Sequence, residues 1–294
     1  MSFQQGLVGI VLGCMVGCSS SEPSPLKEQP VVYPSRATIQ RCMSATGMIC
    51  KVSVYQATTE RQDKEKKWHA TEVATIKHTR KWGSCVALAK EQGQLYLLTA
   101  SHVVTTPDVF TEISEKNPSV REVYRKVEEH MQLVEEYKKE QNNEFTVTGS
   151  VLEVVARSEK DIALVRAKTN VAMTTVNILG YGDLGDIIFG TSMSFLEGVK
   201  SKYVQFNRRL ISSCDVGSVK SLEDPQDPSD DHITYVAMNT QKGNSGGPVF
   251  DKQGNLIGIR ILYFPTDADR ITGIVHAHAV REFLRDAGYT RLIR

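Results

Sequence analysis

The feature that most constrains the fold is a succession of short apolar segments separated by polar turns. From residue 48 onward, segments such as "CVALAK", "LYLLTA", "DIALVRA" and "NLIGIRIL" have the length and composition of β-strands. Stretches such as "EQGQ" and "DKQGN" have the composition of the turns between them. Many short strands joined by turns favour a β-barrel or a β-sandwich over an alternating α/β fold.

Two segments depart from this pattern and predict helices. The segment "AVREFLRDAG" is amphipathic and ends at Gly288, a residue type common just after a helix. Residues 119–141 show a helical stripe with apolar residues at alternating spacings of four and three: Val120, Tyr124, Val127, Met131 and Val134. We therefore expect a helical insert over about residues 112–142. It would pack on its own domain or, alternatively, form a partner-binding arm or a lid.

The N-terminus has the pattern of an export signal. Gly6 to Gly17 form an apolar run of the length of a signal-peptide core, and Cys18 follows with a tail rich in Ser and Pro. This arrangement resembles a bacterial lipoprotein signal in which Cys18 is lipidated, with Cys14 as a second candidate. The first five residues contain no Lys or Arg, which keeps open an ordinary secretory signal or a buried N-terminal helix.

This interpretation of the N-terminus divides the chain into three parts. Residues 1–17 form the signal peptide, residues 18–36 a flexible tether, and residues 37–294 the folded domain. We expect a protein outside the cytoplasm, anchored by lipid to a bacterial membrane on its periplasmic side or at the cell surface, or alternatively secreted.

Composition bears on partners and cofactors. The net charge of +1 gives no electrostatic reason to expect nucleic-acid binding. No apolar run reaches the roughly 18 residues that a membrane-spanning helix needs. His276 and His278 fall on one face of an expected strand, but two ligands make a poor metal site, so we expect no metal and no cofactor.

The cysteines other than Cys14 and Cys18 leave two alternatives open. An even number outside the cytoplasm permits disulfides, and two of them are close enough in sequence to close a small loop. Buried free thiols are the alternative. The residues concerned are Cys42 and Cys50, which flank that loop, together with Cys85 and Cys214.

The segment "GNSGGP" surrounds a single hydroxyl, that of Ser245, with three glycines. A serine hydroxyl is a poor nucleophile until a base takes its proton, and acyl transfer also needs N–H donors aimed at the developing anion. Glycines allow the positive φ angles and the close substrate approach that such a turn requires. Ser245 therefore predicts a base, for which His102 after "LYLLTA" is the candidate, and an acid, for which Asp161 at the start of a buried strand is the candidate.

Together, "LLTASHVV", "DIALV" and "GNSGGPVFDKQGNLIGI" resemble the trypsin/chymotrypsin-like serine peptidases, and most of all the bacterial branch with the HtrA/DegP-type proteases. The order His, Asp, Ser agrees with that family. The resemblance covers roughly residues 48–288 and implies an all-β fold of two six-stranded antiparallel β-barrels. HtrA-type proteases usually carry a PDZ domain after the protease, but only six residues follow Gly288, so we expect none here.

The resemblance also implies a role for each residue. Ser245 attacks the scissile carbonyl, His102 takes and returns the proton, and Asp161 orients the imidazole. The backbone amides of Gly243 and Ser245 form the oxyanion hole. The expected substrates are proteins or peptides.

The same comparison places the substrate pocket at Asn239, Thr240 and Tyr263. Asn239 carries no countercharge at the pocket floor, so no strong preference for Arg or Lys is expected. Asn244 stands where secreted digestive relatives have the Asp that pairs with a newly cut N-terminus. We therefore expect no activation by cleavage at that end.

Two functions fit these observations. The first is a serine endopeptidase tethered to a membrane. The second is a catalytically silent scaffold that uses residues 119–141 as its contact surface. Because all three triad residues and the three glycines of the motif are present, the enzyme is the favoured hypothesis.

Overall fold

The computed structural model describes residues 32–139, 145–179, 182–195, 210–221, 232–238, 240, 243–265 and 270–293. Within these ranges the chain is mostly β-structure, with short helices near both ends of the described chain and after the third strand. In order, the elements are α1 (Arg36–Ser44), β1 (Thr46–Gln62), β2 (Trp68–Glu91), β3 (Gln94–Ala100), α2 (Ser101–Val104), β4 (Val109–Ile113), β5 (Val120–Lys139), β6 (Phe145–Arg157), β7 (Ile162–Lys168), β8 (Ile187–Phe195), β9 (Leu210–Ser221), β10 (Ile233–Ala237), β11 (Pro248–Asp251), β12 (Leu256–Pro265), β13 (Arg270–His276), α3 (Ala277–Asp286) and a 3₁₀ turn (Thr290–Leu292).

The first sheet closes on itself. Its strands are ordered β1-β2-β3-β7-β6-β5-β4, and β5 pairs in addition with β1. In that closing ladder Ile49 lies opposite Leu133 and Arg61 lies opposite Val120. Six antiparallel strands therefore form a ring, and β4 lies outside it against β5.

The second sheet is a closed barrel in the order β10-β13-β12-β11-β8-β9. A continuous apolar cluster runs through both barrels and includes Leu97, Leu98 and Val165 from the first and Phe250 and Ile259 from the second. The predicted two-barrel, all-β fold is confirmed.

The predicted helical insert is wrong. Residues 120–139 form β5, which pairs with β1, β4 and β6, while residues 140–144 lie outside the described part of the chain. The helix-like spacing has a β explanation. The register with β1 shifts by one residue at Val127, because Lys126 pairs with Tyr55 but Glu128 pairs with Val54.

A β-bulge of this kind moves every later side chain to the other face of the sheet. Tyr124 and Met131, seven residues apart, are consequently both buried, whereas Val127 at the bulge is 57% exposed. The four-and-three spacing thus reflects a bulged strand that is half-buried, not a helix. The predicted partner-binding arm and lid both assumed a helix over residues 119–141, and this segment is not helical in the described residues.

The C-terminal helix is confirmed at Ala277–Asp286. It ends as expected, because Gly288 adopts φ +80° and the Tyr289 N–H donates to the Leu284 carbonyl at 2.7 Å. The preceding strand is shorter than predicted. It stops at His276, whose Nδ1 accepts the Ala279 N–H at 3.2 Å as the N-cap of α3, so His276 and His278 do not share a strand face.

The cysteines of the described chain are thiols. No disulfide joins Cys42 to Cys50, and Cys85 and Cys214 are free as well. Burial raises the pKa of the Cys42 and Cys50 thiols to about 11 and that of Cys85 to about 12. Among the helices in the described ranges, none has the length and apolar character needed to cross a membrane.

Candidate active site

His102 and Asp161 meet because two neighbouring strands place them together. β3 and β7 are antiparallel neighbours with Ala100 opposite Ile162, so the residue after β3 and the residue before β7 are adjacent. His102 lies in the short helix α2 that follows β3, and Asp161 immediately precedes β7.

The Asp161 carboxylate contacts His102 twice. One carboxylate oxygen lies 2.6 Å from His102 Nδ1, and the other accepts the backbone N–H of His102 at 2.8 Å. The Asp161 carbonyl also accepts the N–H of Ser101 at 3.0 Å. The imidazole therefore has a fixed orientation, with its side chain 45% exposed and the carboxylate 26% exposed.

Asp161 has an unusual backbone. Its φ is +57°, a left-handed conformation that costs most residues energy but that Asp and Asn tolerate. This conformation turns the chain at the start of β7 so that the carbonyl and the carboxylate both face α2. Backbone strain of this kind often occurs where a side chain must be aimed at a functional group.

The loop that carries Ser245 is tightly wound. Gly243 has φ +97° and Gly246 has φ +80°, values that favour glycine. The Gly247 N–H donates to the Asn244 carbonyl at 2.9 Å, and the Gly246 N–H donates to the Arg260 carbonyl at 2.7 Å. Ser245 is half-buried at the tip of this turn.

This loop packs against the segment that carries His102. A methyl group at Gly246 would lie 2.1 Å from Thr99 Oγ1, 2.3 Å from the Ser84 carbonyl oxygen and 2.8 Å from the Ala100 nitrogen. Thr99 and Ala100 are the last two residues of β3, directly before α2.

A second glycine, Gly83, lies close both to Val103, the residue after His102, and to the Ser245 carbonyl. A methyl group at Gly83 would lie 2.5 Å from the Val103 methyl groups and 3.0 Å from the Ser245 carbonyl oxygen. The Ser84 N–H donates to that carbonyl at 2.8 Å. The structure therefore brings the Ser245 loop against the residues that flank His102.

The amides predicted for the oxyanion hole lie on the same turn. The Gly243 carbonyl accepts the Ser84 hydroxyl at 2.9 Å, and that hydroxyl accepts the Met193 N–H at 3.1 Å. Within the described ranges, the N–H groups of Gly243 and Ser245 make no hydrogen bond to protein.

The structure describes only some of the residues predicted for the substrate pocket. Thr240 is buried, and its Oγ1 lies 2.6 Å from Thr272 Oγ1. The backbone of Tyr263 pairs with the same Thr272. Asn239 and the side chain of Tyr263 lie outside the described part of the chain. No group of three or more His, Cys, Asp or Glu residues that could hold a metal ion occurs among the residues that are described.

A buried arginine beneath the serine loop was not foreseen. Arg260 is 0% exposed, and its backbone N–H donates to the Gly247 carbonyl at 2.9 Å. Burial lowers the pKa of its guanidinium to about 10, although Asp215, with 3.6 Å between Nη1 and Oδ2, opposes the shift. A methyl group at Gly190 would collide with Nη2. The only sequence signal was an Arg inside the apolar segment "NLIGIRIL".

The comparisons with known proteins bear on the family and on the fold of the chain. The family model described as "Trypsin-like peptidase domain" matches residues 83–259, a range that contains His102, Asp161 and Ser245. Among solved structures, the chain is similar to a variant of the HtrA-type protease AlgW with a decapeptide. The match has a TM-score of 0.51 and 15% sequence identity, and it covers 86% of this chain and 67% of that chain.

At that identity the structural match supports the fold alone, whereas the family model covers more than half of the chain. No curated protein matches the sequence. The chain belongs to the family of trypsin-like peptidase domains.

Proposed function

We propose that the protein is a serine endopeptidase that hydrolyses peptide bonds with Ser245, His102 and Asp161. The observation that carries this proposal is the paired contact of Asp161 with the imidazole and the backbone of His102, next to the loop that carries Ser245. Membership in the peptidase family supports it.

The contact at Nδ1 defines the part played by the imidazole. With the Nδ1 proton donated to the Asp161 carboxylate, Nε2 is left as the acceptor. Nε2 takes the Ser245 hydroxyl proton as Oγ bonds to the substrate carbonyl carbon, and then gives that proton to the leaving amine. Water, deprotonated by the same nitrogen, hydrolyses the acyl-enzyme and restores the hydroxyl.

The N–H groups of Gly243 and Ser245 would bind the oxyanion formed in both steps. The hydrogen bond from the Ser84 hydroxyl to the Gly243 carbonyl fixes the Gly243–Asn244 peptide, which lies between the two donor N–H groups in the chain. Because the bond is made before substrate arrives, the donors need little reorganisation during the reaction. Losing one such donor typically lowers the rate about 10²–10³-fold.

The proposed substrates are proteins and peptides, and the similar AlgW structure holds a decapeptide. We propose that the enzyme has no strong preference for Arg or Lys, since Asn239 supplies no charge. We further propose that it needs no activating cleavage, since Asn244 has no negative charge to pair with a newly cut N-terminus. Asn244 is buried in the turn, with its carbonyl bonded to the Gly247 N–H.

A mixture of unstructured peptides, analysed by mass spectrometry after incubation with the protein, tests this proposal. We expect cleavage by the wild-type protein and none by Ser245→Ala. Cleavage that persists in Ser245→Ala contradicts the proposal. A folded wild-type protein that cleaves no peptide favours the catalytically silent scaffold.

For the N-terminus, which lies outside the described residues, we propose a lipid anchor on Cys18 that holds the enzyme outside the cytoplasm at a bacterial membrane. Expression in bacteria with a labelled fatty acid tests this anchor. Label should be lost in Cys18→Ser and kept in the matched control Cys14→Ser. The reverse pattern would assign the lipid to Cys14, and unlabelled wild-type protein would exclude the anchor.

A further inference from the structure

A buried lysine contacts the helix that carries His102. Lys51 lies in β1 with its side chain 2% exposed, although lysine is almost never fully buried unless it is paired. Its Nζ donates to the Val104 carbonyl, at the end of α2, and forms an ion pair with Glu129 at 3.0 Å.

A second lysine contacts the same helix from the neighbouring strand. Lys81 lies directly opposite Lys51 in the β1–β2 ladder, so both side chains leave the same face of the sheet. Lys81 Nζ donates to the His102 carbonyl at 3.3 Å and to the Thr105 carbonyl at 2.8 Å. Between them the two ammonium groups bind the carbonyls at the C-terminal end of α2, which have no partner within the helix.

Two like charges side by side are unfavourable, so they need a counterion. Glu129 on β5 supplies it and accepts hydrogen bonds from Lys51, Lys126 and Thr106. Burial raises the pKa of the Glu129 carboxyl, but these hydrogen bonds outweigh it and bring the pKa to about 2. Burial lowers the pKa of Lys51, and the contact with Glu129 opposes that shift. The Glu129 carboxylate is therefore charged at neutral pH and lies 3.0 Å from the Lys51 ammonium.

The segment with His102 is thus held at both ends. Asp161 binds the N–H groups of Ser101 and His102 through its carbonyl and its carboxylate. Lys51 and Lys81 bind the carbonyls that follow. A four-residue helix has little intrinsic stability, so its orientation depends on these tertiary contacts.

We propose that Lys51, fixed by Glu129, is a positioning residue that sets the orientation of His102 toward Ser245. This inference rests on the proposed function, since the orientation matters for proton transfer. Lys51 touches neither substrate nor reacting atoms. Its removal should therefore lower kcat and leave KM nearly unchanged, because a small misplacement of a catalytic group costs rate and not binding.

The substitution Lys51→Met tests the proposal, since it keeps the length of the side chain and removes the donor and the charge. We expect kcat to fall about 10- to 100-fold, with KM within about twofold of wild type. The matched control is Lys126→Met. It removes a cation from the same carboxylate but no donor from α2, so kcat should stay within about threefold.

A second readout does not depend on activity. An imidazole N–H bonded to a carboxylate gives a far-downfield proton resonance, which Asp161→Asn assigns by abolishing it. We expect the resonance to be broadened or lost in Lys51→Met and kept in Lys126→Met. If Lys51→Met does not fold, Glu129→Gln replaces it, with an expected fall in kcat of about three- to tenfold.

The outcomes separate this inference from the proposed function. A sharp, unchanged resonance in Lys51→Met overturns the inference, as does wild-type kcat in either Lys51→Met or Glu129→Gln. A loss of resonance in Lys51→Met, in a protein whose wild type cleaves no peptide, supports the positioning role and rejects the peptidase.

Discussion

Replacing Gly246 by alanine tests the packing of the serine loop against the strand before His102. The added methyl group would lie within 2.8 Å of Thr99 Oγ1, the Ser84 carbonyl oxygen and the Ala100 nitrogen. Two of these atoms belong to the backbone of β2 and β3, so they cannot move aside as a flexible side chain would. The loop must therefore shift away from β2 and β3, and β3 leads directly into the helix that carries His102.

The magnitude follows from two contributions. The left-handed backbone at φ +80° costs alanine about 1–2 kcal/mol. Overpacking against rigid neighbours adds about 1–3 kcal/mol, for a total loss of about 2–5 kcal/mol in the free energy of unfolding. Gly93 and Gly288 serve as matched controls, since they have φ +76° and +80° but no atom within 4 Å of the added methyl group. Each control should lose only the backbone cost of about 1–2 kcal/mol.

Urea unfolding followed by the fluorescence of Trp68 and Trp82 measures the stability of all three variants. Peptide cleavage, measured where each variant is folded, should fall at least tenfold in Gly246→Ala and stay near wild type in Gly93→Ala and Gly288→Ala. Tight packing at Gly246 is contradicted if Gly246→Ala loses no more stability than the controls, within about 0.5 kcal/mol, and cleaves peptides at the wild-type rate.

Asp161→Asn keeps a residue type that tolerates φ +57°, so the variant should fold normally. Its kcat should fall about 10⁴-fold in steady-state assays, and a loss below tenfold would be inconsistent with the triad. The pKa of Glu129 is depressed from 4.5 to about 2, so its contribution to stability is complete above pH 4.5 and disappears as the pH falls toward 2. The thermal unfolding temperature of Glu129→Gln should therefore depend less on pH across this window than that of the wild-type protein. An unchanged pH dependence would count against the ion pair. Burial raises the thiol pKa to about 11 for Cys42 and Cys50 and to about 12 for Cys85, so iodoacetamide at pH 8 should modify these residues only after unfolding. Rapid modification of the native protein, seen by mass spectrometry, would show that they are not buried.

Much of the fold was predictable because its strands are short and bounded by turn residues. "LYLLTA" and "DIALVRA" became β3 and β7, and their pairing explains why the residues at their ends, His102 and Asp161, meet. The C-terminal helix was predictable from its apolar face and from Gly288. These signals are local, and the final structure agrees with them.

The failure at β5 has a tertiary cause. A strand with a bulge at Val127 repeats its buried positions over seven residues, from Tyr124 to Met131, and so imitates the periodicity of a helix. Which structure forms depends on partner strands that are distant in sequence. β5 pairs with β1, β4 and β6, and these ladders outweigh the local pattern.

The buried cations were unpredictable for a related reason. Lys51 and Arg260 each interrupt an apolar strand, and a charge in such a strand can equally face solvent. Their burial depends on Glu129 and Asp215, which lie 78 and 45 residues away (129 − 51 and 260 − 215). Only the assembled barrels bring these partners together.

Labelling with a fluorophosphonate shows whether Ser245 is an activated nucleophile, on which the proposed peptidase activity depends. We expect one adduct, mapped by mass spectrometry to the peptide that contains Ser245, absent in Ser245→Ala and formed far more slowly in His102→Ala. A folded wild-type protein that never labels, or that labels at another residue while Ser245 stays unmodified, would contradict it.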